Sequence, residues 1–121
     1  MITGIVSDDF APTIEIELAG KRCNALIDTG FNGDLELPLA LQSAVNPRFL
    51  ERIHSHLAGG QTIEEEAFVV EFPFDGKLCR ASATFVAGVE ILIGMHFLRR
   101  YRLEIDVPKR TVLIQPSRRI N

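Results

Sequence analysis

The sequence predicts a mainly β protein with one or two short helices. Residues 13–19 alternate apolar and polar side chains with period two, and residues 101–107 do so again. Such alternation is typical of a strand that buries one face. Asp75-Gly76 also stands between two strand-like segments, where this dipeptide is a strong hairpin signal. Together these patterns favour consecutive hairpins around one core.

Short alternating or apolar segments, separated by Gly, Pro and Asp, define the predicted strands. In chain order they are 13–19, 22–27, 35–37, 61–72, 78–86, 91–93, 101–107 and 111–114. Gly20-Lys21 joins the first two strands as a hairpin, and Ala58-Gly59-Gly60 forms the tip of a longer one. Three hairpins in succession are therefore expected.

Two segments are predicted to be helical, and one is ambiguous. Residues 39–45 have a helix-favouring composition and end at Asn46-Pro47, because the residue before a proline is disfavoured in a helix. Residues 95–100 are predicted to form one or two helical turns. Residues 49–57 are ambiguous between helix and strand.

Length and composition limit the class of protein. The 121 residues fit one domain, 1–121, and 46% hydrophobic with 24% charged residues is typical of a globular chain. A formal charge of −3 gives no reason to expect nucleic-acid binding. No membrane span or signal sequence is recognised, so no membrane partner and a cytoplasmic location are expected. Cys23 and Cys79 are expected to be reduced there, and a bridge between them does not follow from the sequence.

An acidic residue follows directly on a strand that looks buried. Apolar residues 25–27 lead into Asp28-Thr29-Gly30, and later in the chain stands Ile91-Leu92-Ile93-Gly94. The end of a buried strand is an unusual place for an isolated acid. The context therefore indicates a functional carboxylate.

A carboxylate in this position suits a site in which two such loops face each other. Like charges a few ångströms apart do not both ionise readily, so the two acids share one proton. One carboxylate then activates a water as a general base, while its protonated partner polarises a carbonyl oxygen. The Thr29 hydroxyl braces the facing loop, and Gly30 lets the backbones approach closely. The motif predicts Asp28, Thr29 and Gly30 as catalytic residues.

These motifs, in this order, resemble the retropepsin-like aspartic proteases. In that family an Asp-Thr-Gly loop precedes a hairpin flap with a glycine-rich tip, which precedes an apolar-apolar-Gly strand and a short helix. The same order is found here in Asp28-Thr29-Gly30, Ala58-Gly59-Gly60 and Ile91-Leu92-Ile93-Gly94. Residues 31–38 and 102–106 are most similar to the small bacterial members. The resemblance covers nearly the whole chain and implies an acid-protease barrel with one lobe per chain.

The chain contains one Asp-Thr-Gly, and 121 residues are too few for a two-lobed enzyme. The resemblance therefore implies a homodimer, with the two Asp28 residues beside a two-fold axis and both Thr29 side chains crossing it. It implies an aspartic endopeptidase that needs no cofactor and no metal. Because the chain continues through a hairpin at 101–115, the retroviral interface of interleaved termini need not apply.

The resemblance also implies which residues contact substrate. Ala58-Gly59-Gly60 closes over an extended peptide, and Phe31, Asn32 and Ile93 line the cleft beside the loop. Phe31 is expected to narrow the cleft or to fill an apolar subsite. Asn32 and Met95 occupy the places of an Asp–Arg ion pair in the retroviral enzymes, so the dimer is expected to be stabilised differently.

Other polar residues have simpler explanations. His54 and His56 share one face if they lie in a strand, but no third ligand accompanies them, so surface histidines are favoured over a metal site. His96 is expected to be structural. The acids expected in turns or at strand ends are Asp34, Asp75 and Asp106.

Two functions fit the motifs. The first is hydrolysis of peptide bonds by the paired Asp28 carboxylates. The second is a dimeric module of the same fold that holds a peptide in the cleft without cutting it. Phe31 beside the loop gives the second its support.

Overall fold

Ten strands and one 3₁₀ turn make up the structure, a computed structural model that describes residues 1–56 and 58–118. Strands account for 59% of it and helix for 3%, which confirms the mainly β class. The strands are β1 (Ile2–Val6), β2 (Pro12–Leu18), β3 (Lys21–Ile27), β4 (Leu35–Pro38), β5 (Arg48–His56), β6 (Thr62–Phe74), β7 (Lys77–Val86), β8 (Leu92–Ile93), β9 (Tyr101–Asp106) and β10 (Thr111–Pro116). The 3₁₀ turn is Leu39–Leu41.

The strands form one hydrogen-bonded sheet in the order β5-β6-β7-β4-β8-β3-β2-β1-β10-β9. Most neighbours are antiparallel, but β8 runs parallel to β3, and β4 runs parallel to β7. β2 also packs against β6, so the sheet folds over on itself around the core. This arrangement inserts β8 between β3 and β4, the two strands that flank the Asp-Thr-Gly segment.

Tight turns join the sequential hairpins that the sequence predicts. Ala19 and Gly20 both have positive φ between β2 and β3, as do Asp75 and Gly76 between β6 and β7. Two consecutive residues of this kind form the type I′ turn, whose twist matches that of a hairpin. The three consecutive hairpins, β2–β3, β5–β6 and β6–β7, are confirmed.

One helix prediction is confirmed in part and the other is wrong, because a 3₁₀ helix occupies Leu39–Leu41 but no helix forms at 95–100. Residues 39–45 form a 3₁₀ turn followed by hydrogen-bonded turns, and residues 95–100 form turns throughout. Segments this short make too few backbone hydrogen bonds to offset the cost of helix nucleation. Contacts with the neighbouring sheet therefore decide their shape.

One further segment is ambiguous in the sequence, and one strand is not predicted from it. The ambiguous segment 49–57 is strand β5 as far as His56, and Leu57 lies outside the described residues. β1 is absent from the predicted strands, yet it pairs with both β10 and β2. Its short sequence carries a glycine at its centre, which lowers the strand signal.

One apolar cluster fills the space that the sheet encloses. Its largest fully buried side chains are Phe72, Ile14, Leu35, Leu37, Ile93, Ile114, Val6, Val70 and Val112. Phe74 and Phe97 meet edge to face within it, with ring centroids 4.8 Å apart. Among the described residues Asp34 is the one buried polar or charged residue, at 7% exposure.

Cys23 and Cys79 are half-buried and unbridged. The described part of the chain contains no helix with the length and hydropathy of a membrane span. The cytoplasmic location stays a prediction.

Candidate active site

Asp28 follows the last residue of β3, where central strands of the sheet hold its backbone. The Leu26 amide donates to the Ile91 carbonyl at 2.8 Å, and the Asp28 amide donates to the Ile93 carbonyl at 2.9 Å. The second bond continues the parallel pairing of β3 with β8 beyond the strand itself. The candidate catalytic acid is therefore positioned by the sheet.

The segment 28–34, here called the Asp28 loop, turns sharply after β3. Oδ1 of Asp28 accepts a hydrogen bond from the Gly30 amide at 2.9 Å, and the Asp28 carbonyl accepts one from the Phe31 amide at 3.1 Å. Asp28 is half-buried, whereas Thr29, Gly30 and Asn32 are exposed. The three residues predicted as catalytic thus lie together in one turn, accessible to a second molecule.

Phe31 packs onto two glycines, Gly33 and Gly94. A Cβ atom on Gly94 would lie 2.1 Å from the Gly33 carbonyl oxygen and 2.7 Å from Cδ2 of Phe31. A Cβ atom on Gly33 would lie 2.7 Å from the Phe31 ring. Neither position therefore has room for a side chain. The half-buried Phe31 ring covers the loop backbone, and the substrate contact predicted for Phe31 stays a prediction.

Gly30 has a different environment. A Cβ atom there would meet only Oδ1 of Asp28, at an ordinary contact distance of 3.4 Å, and its φ is not positive. Nothing in the described chain comes close enough to require glycine at this position. The close approach of a second loop predicted for Gly30 stays a prediction.

Asp34 ties the end of the Asp28 loop to two other segments. Its Oδ2 accepts from the Ser82 amide at 2.9 Å and from the Ser82 hydroxyl at 3.2 Å, and its Oδ1 lies 2.6 Å from Nδ1 of His96. Its backbone carbonyl accepts from the Gly94 amide at 2.9 Å. Asp34 does lie in the bend directly before β4, where a turn or strand-end acid was expected, and it is also buried and links the loop to β7 and to the turn after β8.

Ser82, Asp34 and His96 are arranged as a structural cluster and not as a catalytic triad. In a serine hydrolase the histidine stands between serine and aspartate, but here Asp34 stands between Ser82 and His96. Asp34 and His96 lie just beyond Asn32 and Met95, the residues that replace the retroviral ion pair. They connect the same two segments of chain that such a pair would connect.

Replacing Asp34 with Ala should lower the free energy of unfolding by about 2–4 kcal/mol, because it leaves the Ser82 amide and hydroxyl without their buried acceptor. Urea denaturation at neutral pH measures the loss. Ser82→Ala removes only the longer hydrogen bond and should cost no more than about 1 kcal/mol. A larger loss for Ser82→Ala than for Asp34→Ala would contradict the assignment.

The central strands present one face to the core. Ile27, Ile93 and Leu35 lie in register on β3, β8 and β4, and none is more than 3% exposed. Ile93 is fully buried, so the substrate contact predicted for its side chain is wrong. Because successive side chains of a strand point to opposite faces, Leu92 is the accessible residue of β8 instead.

The opposite face of these strands is here called the cleft face. Leu26, Leu92 and Glu36 lie in register across it and are all half-buried. Asp28 follows Leu26 by two residues along an extended backbone, so its side chain leaves from the same face. Glu36 is absent from the predicted site residues, although the alternation of Leu35, Glu36 and Leu37 indicates that the acid points away from the core.

Burial raises the pKa of Glu36 above its ordinary value of 4.5, with further contributions from the negative charges of Glu65 and Asp28. Glu65 belongs to β6, in the hairpin with the glycine tip, and Asp28 belongs to the catalytic motif. Glu36 therefore lies within electrostatic reach of both.

Because the folded protein disfavours ionised Glu36, stability should be lost as the pH rises above 4.5. Glu36→Gln should therefore stabilise the protein at neutral pH by a few tenths of a kcal/mol, given solvent screening, and by less at about pH 3.5. Thermal unfolding at the two pH values measures the difference. Glu51→Gln, on the exposed β5, is the matched control, and an equal response of both variants would contradict the expectation.

The β5–β6 hairpin is anchored at its base and exposed at its tip. Phe49, Phe68 and Phe85 pack edge to face in series, with centroid separations of 5.9 and 5.5 Å. At the other end Ala58-Gly59-Gly60 is exposed, and both glycines have positive φ. The predicted turn is confirmed, while its contact with substrate stays a prediction.

The two strand histidines lie on this same hairpin. His54 and His56 are exposed on β5, opposite Glu64 and Thr62 of β6. Within residues 1–56 and 58–118, no three His, Cys, Asp or Glu side chains come together as metal ligands would.

Comparisons with known proteins add to this geometry. No protein-family model matches the sequence. DNA damage-inducible protein 1 of Chaetomium globosum is 26% identical over 107 residues, covering 84% of this chain. The match spans 24% of that protein's own length.

The solved structures include a close match in fold. The crystal structure of a retropepsin-like aspartic protease from Rickettsia conorii aligns with a TM-score of 0.71 at 16% sequence identity. The alignment covers 93% of this chain and 88% of the other. The resemblance indicated by the motifs is thereby confirmed at the level of architecture: the chain has the retropepsin-like aspartic protease fold, with one lobe.

Proposed function

We propose that the protein is an aspartic endopeptidase that acts as a homodimer, with one Asp28 from each subunit. The observation that carries the proposal is the placement of Asp28. It is a half-buried acid whose backbone is fixed by the sheet, whose Oδ1 is held by the Gly30 amide, and whose neighbours Thr29 and Gly30 are exposed. A single chain supplies one such acid, so the second must come from another copy.

In this mechanism the two Asp28 carboxyl groups hold one proton between them. The ionised carboxylate takes a proton from a water, whose oxygen attacks the carbonyl carbon of the peptide bond. The protonated carboxyl donates to the carbonyl oxygen as the tetrahedral intermediate forms. When the C–N bond breaks, the leaving nitrogen receives a proton from the dyad, and one hydroxyl group of the intermediate returns its proton to the dyad as the new carboxyl group forms. Hydrolysis yields two fragments with new carboxyl and amine ends, and the dyad regains its starting state.

The cleft face supports binding of an extended peptide. Leu26 and Leu92 offer half-buried apolar surface beside Asp28, and Glu36 adds one acidic position in the same row. The Ala58-Gly59-Gly60 tip is exposed and rich in glycine, which suits a flap that closes over main-chain hydrogen bonds. A substrate with an apolar residue near the cut bond fits this surface.

Digestion of a peptide library at mildly acidic and neutral pH tests the proposal. The wild-type protein should cleave library peptides, and Asp28→Asn should not. Cleavage that is unchanged by Asp28→Asn would refute the proposal. Binding of peptides by both proteins, without cleavage by either, would support the alternative of a dimeric peptide-binding module.

A further inference from the structure

The sheet ends in two edge strands, and they differ in regularity. β5 is bulged between Phe49 and Glu51, where its register with β6 shifts. β9 pairs with β10 over all six of its residues without a shift, and no strand of the described chain pairs with its other edge. Bulges are a common means of protecting an edge strand against pairing with another chain. β5 has that protection and β9 lacks it.

The two faces of β9 have opposite chemistry. Tyr101 and Leu103 are half-buried against the core, and Ile105 on the same face is 38% exposed. Arg102 and Glu104 lie on the solvent face, where Nη2 of Arg102 donates to Oε1 of Glu104 at 2.8 Å. The free edge therefore continues an apolar surface on one side and a row of alternating charges on the other.

We propose that β9 is the dimer interface, and that it pairs in antiparallel fashion with β9 of a second copy about a two-fold axis at Leu103. In this register Arg102 faces Glu104 of the partner subunit, and Glu104 faces the partner subunit's Arg102. On the other side Tyr101 faces the partner's Ile105. An isologous contact requires such self-complementarity, and this strand has it on both faces. The inference rests on the homodimer of the proposed function.

Other registers lack this complementarity. An axis at Arg102 puts two arginines opposite each other, and an axis at Glu104 does the same with two glutamates, both of which are unfavourable cross-strand pairs. An axis between two residues sets the apolar face of one strand against the charged face of the other. With the axis at Leu103, Arg100 also meets the partner's Asp106, so each facing pair of charges is of opposite sign.

The interface is linked to the site through a short connection. β9 follows the turns at 95–100, and the Met95 amide at the start of those turns donates to the Phe31 carbonyl of the Asp28 loop at 2.8 Å. Pairing along β9 thus fixes a segment that contacts the loop directly. A dimer formed in this way is joined to both copies of the candidate site.

Sedimentation of charge-reversed variants tests the register. Arg102→Glu and Glu104→Arg should each raise the dimer dissociation constant at least about tenfold, because each turns two attractive facing pairs into repulsive ones. The doubly reversed variant, Arg102→Glu with Glu104→Arg, should dimerise like the wild type. An equimolar mixture of the two single variants should form heterodimers, since one β9 is then acidic and the other basic.

Reversal at another exposed ion pair is the control. Arg22→Glu removes the partner of Glu15, 3.9 Å away on the β2–β3 hairpin, and should leave the dimer unchanged. A wild-type protein that is monomeric at every concentration, single variants that dimerise normally, or a double variant that stays monomeric would each overturn the proposal. Sedimentation measures dimerisation independently of cleavage. If the variants dimerise as expected but the wild-type protein cleaves no peptide, the β9 interface is supported and the endopeptidase proposal is refuted.

Discussion

Asp28→Asn should lower kcat/KM for peptide cleavage by roughly 10³–10⁴-fold, because an amide at this position neither accepts the proton of the attacking water nor shares one with a second acid. Folding should be unaffected. Among the described residues, the Gly30 amide is the one donor to Oδ1 of Asp28, and the side-chain oxygen of Asn can accept the same hydrogen bond. Equal unfolding temperatures of the two proteins, measured beside their activities, would separate loss of chemistry from loss of structure.

Mixing the two proteins tests whether the site is shared. When equal amounts of wild type and Asp28→Asn are unfolded and refolded together, about a quarter of the dimers contain two aspartates. Activity should therefore fall to about a quarter of that of the same total amount of wild type, since mixed dimers hold one acid only. A value near one half would mean that each chain acts alone, and the shared site would be refuted.

Gly94→Ala should destabilise the protein by at least about 3 kcal/mol. Its Cβ would lie 2.1 Å from the Gly33 carbonyl oxygen and 2.8 Å from that of Phe31. Both are backbone atoms within the hydrogen-bonded loop, so they cannot move aside as a flexible side chain would. Urea denaturation measures the change, and the amount of soluble protein serves as a second measure if the variant does not fold.

Gly30→Ala is the matched comparison within the same site. Its Cβ would make an ordinary 3.4 Å contact, so the stability of the chain should change by less than about 0.5 kcal/mol. If a second Asp28 loop faces Gly30 in the dimer, the same substitution should still abolish cleavage. Similar losses of stability for the two variants would contradict the packing described for Gly94.

The mainly β class of this fold can be predicted from local sequence patterns. The prediction of individual elements fails where those patterns are weak. Asp75-Gly76 predicts its hairpin because the two residues adopt the φ values that a type I′ turn needs. Residues 39–45 have good helix formers but are too few to form an α-helix alone, so the chain beside β4 forms a 3₁₀ helix of three residues followed by turns. The pairing of β1 with β10 joins segments from opposite ends of the sequence, so no local sequence pattern predicts it.

The site was predictable as far as its motif extends. Asp28-Thr29-Gly30 marks the correct turn because a strand, an acid and a glycine are adjacent in sequence. The Asp34 cluster could not be predicted in this way, because its partners Ser82 and His96 lie 48 and 62 residues further along. The motif predicted a substrate contact for Ile93, but a two-residue strand has one residue on each face, and the pairing partners decide which face is buried.

β8 has a consequence for how the protein loses activity. Within the described chain this strand of two residues is the only strand that joins the β5-β6-β7-β4 half of the sheet to the β3-β2-β1-β10-β9 half. Its partners come from distant parts of the sequence, so it joins the sheet only after long loops have closed. Asp28 and Asp34 lie on either side of this seam. Transient opening of the seam would disassemble the site while both halves keep their strands, so inactivation should precede unfolding as the temperature rises.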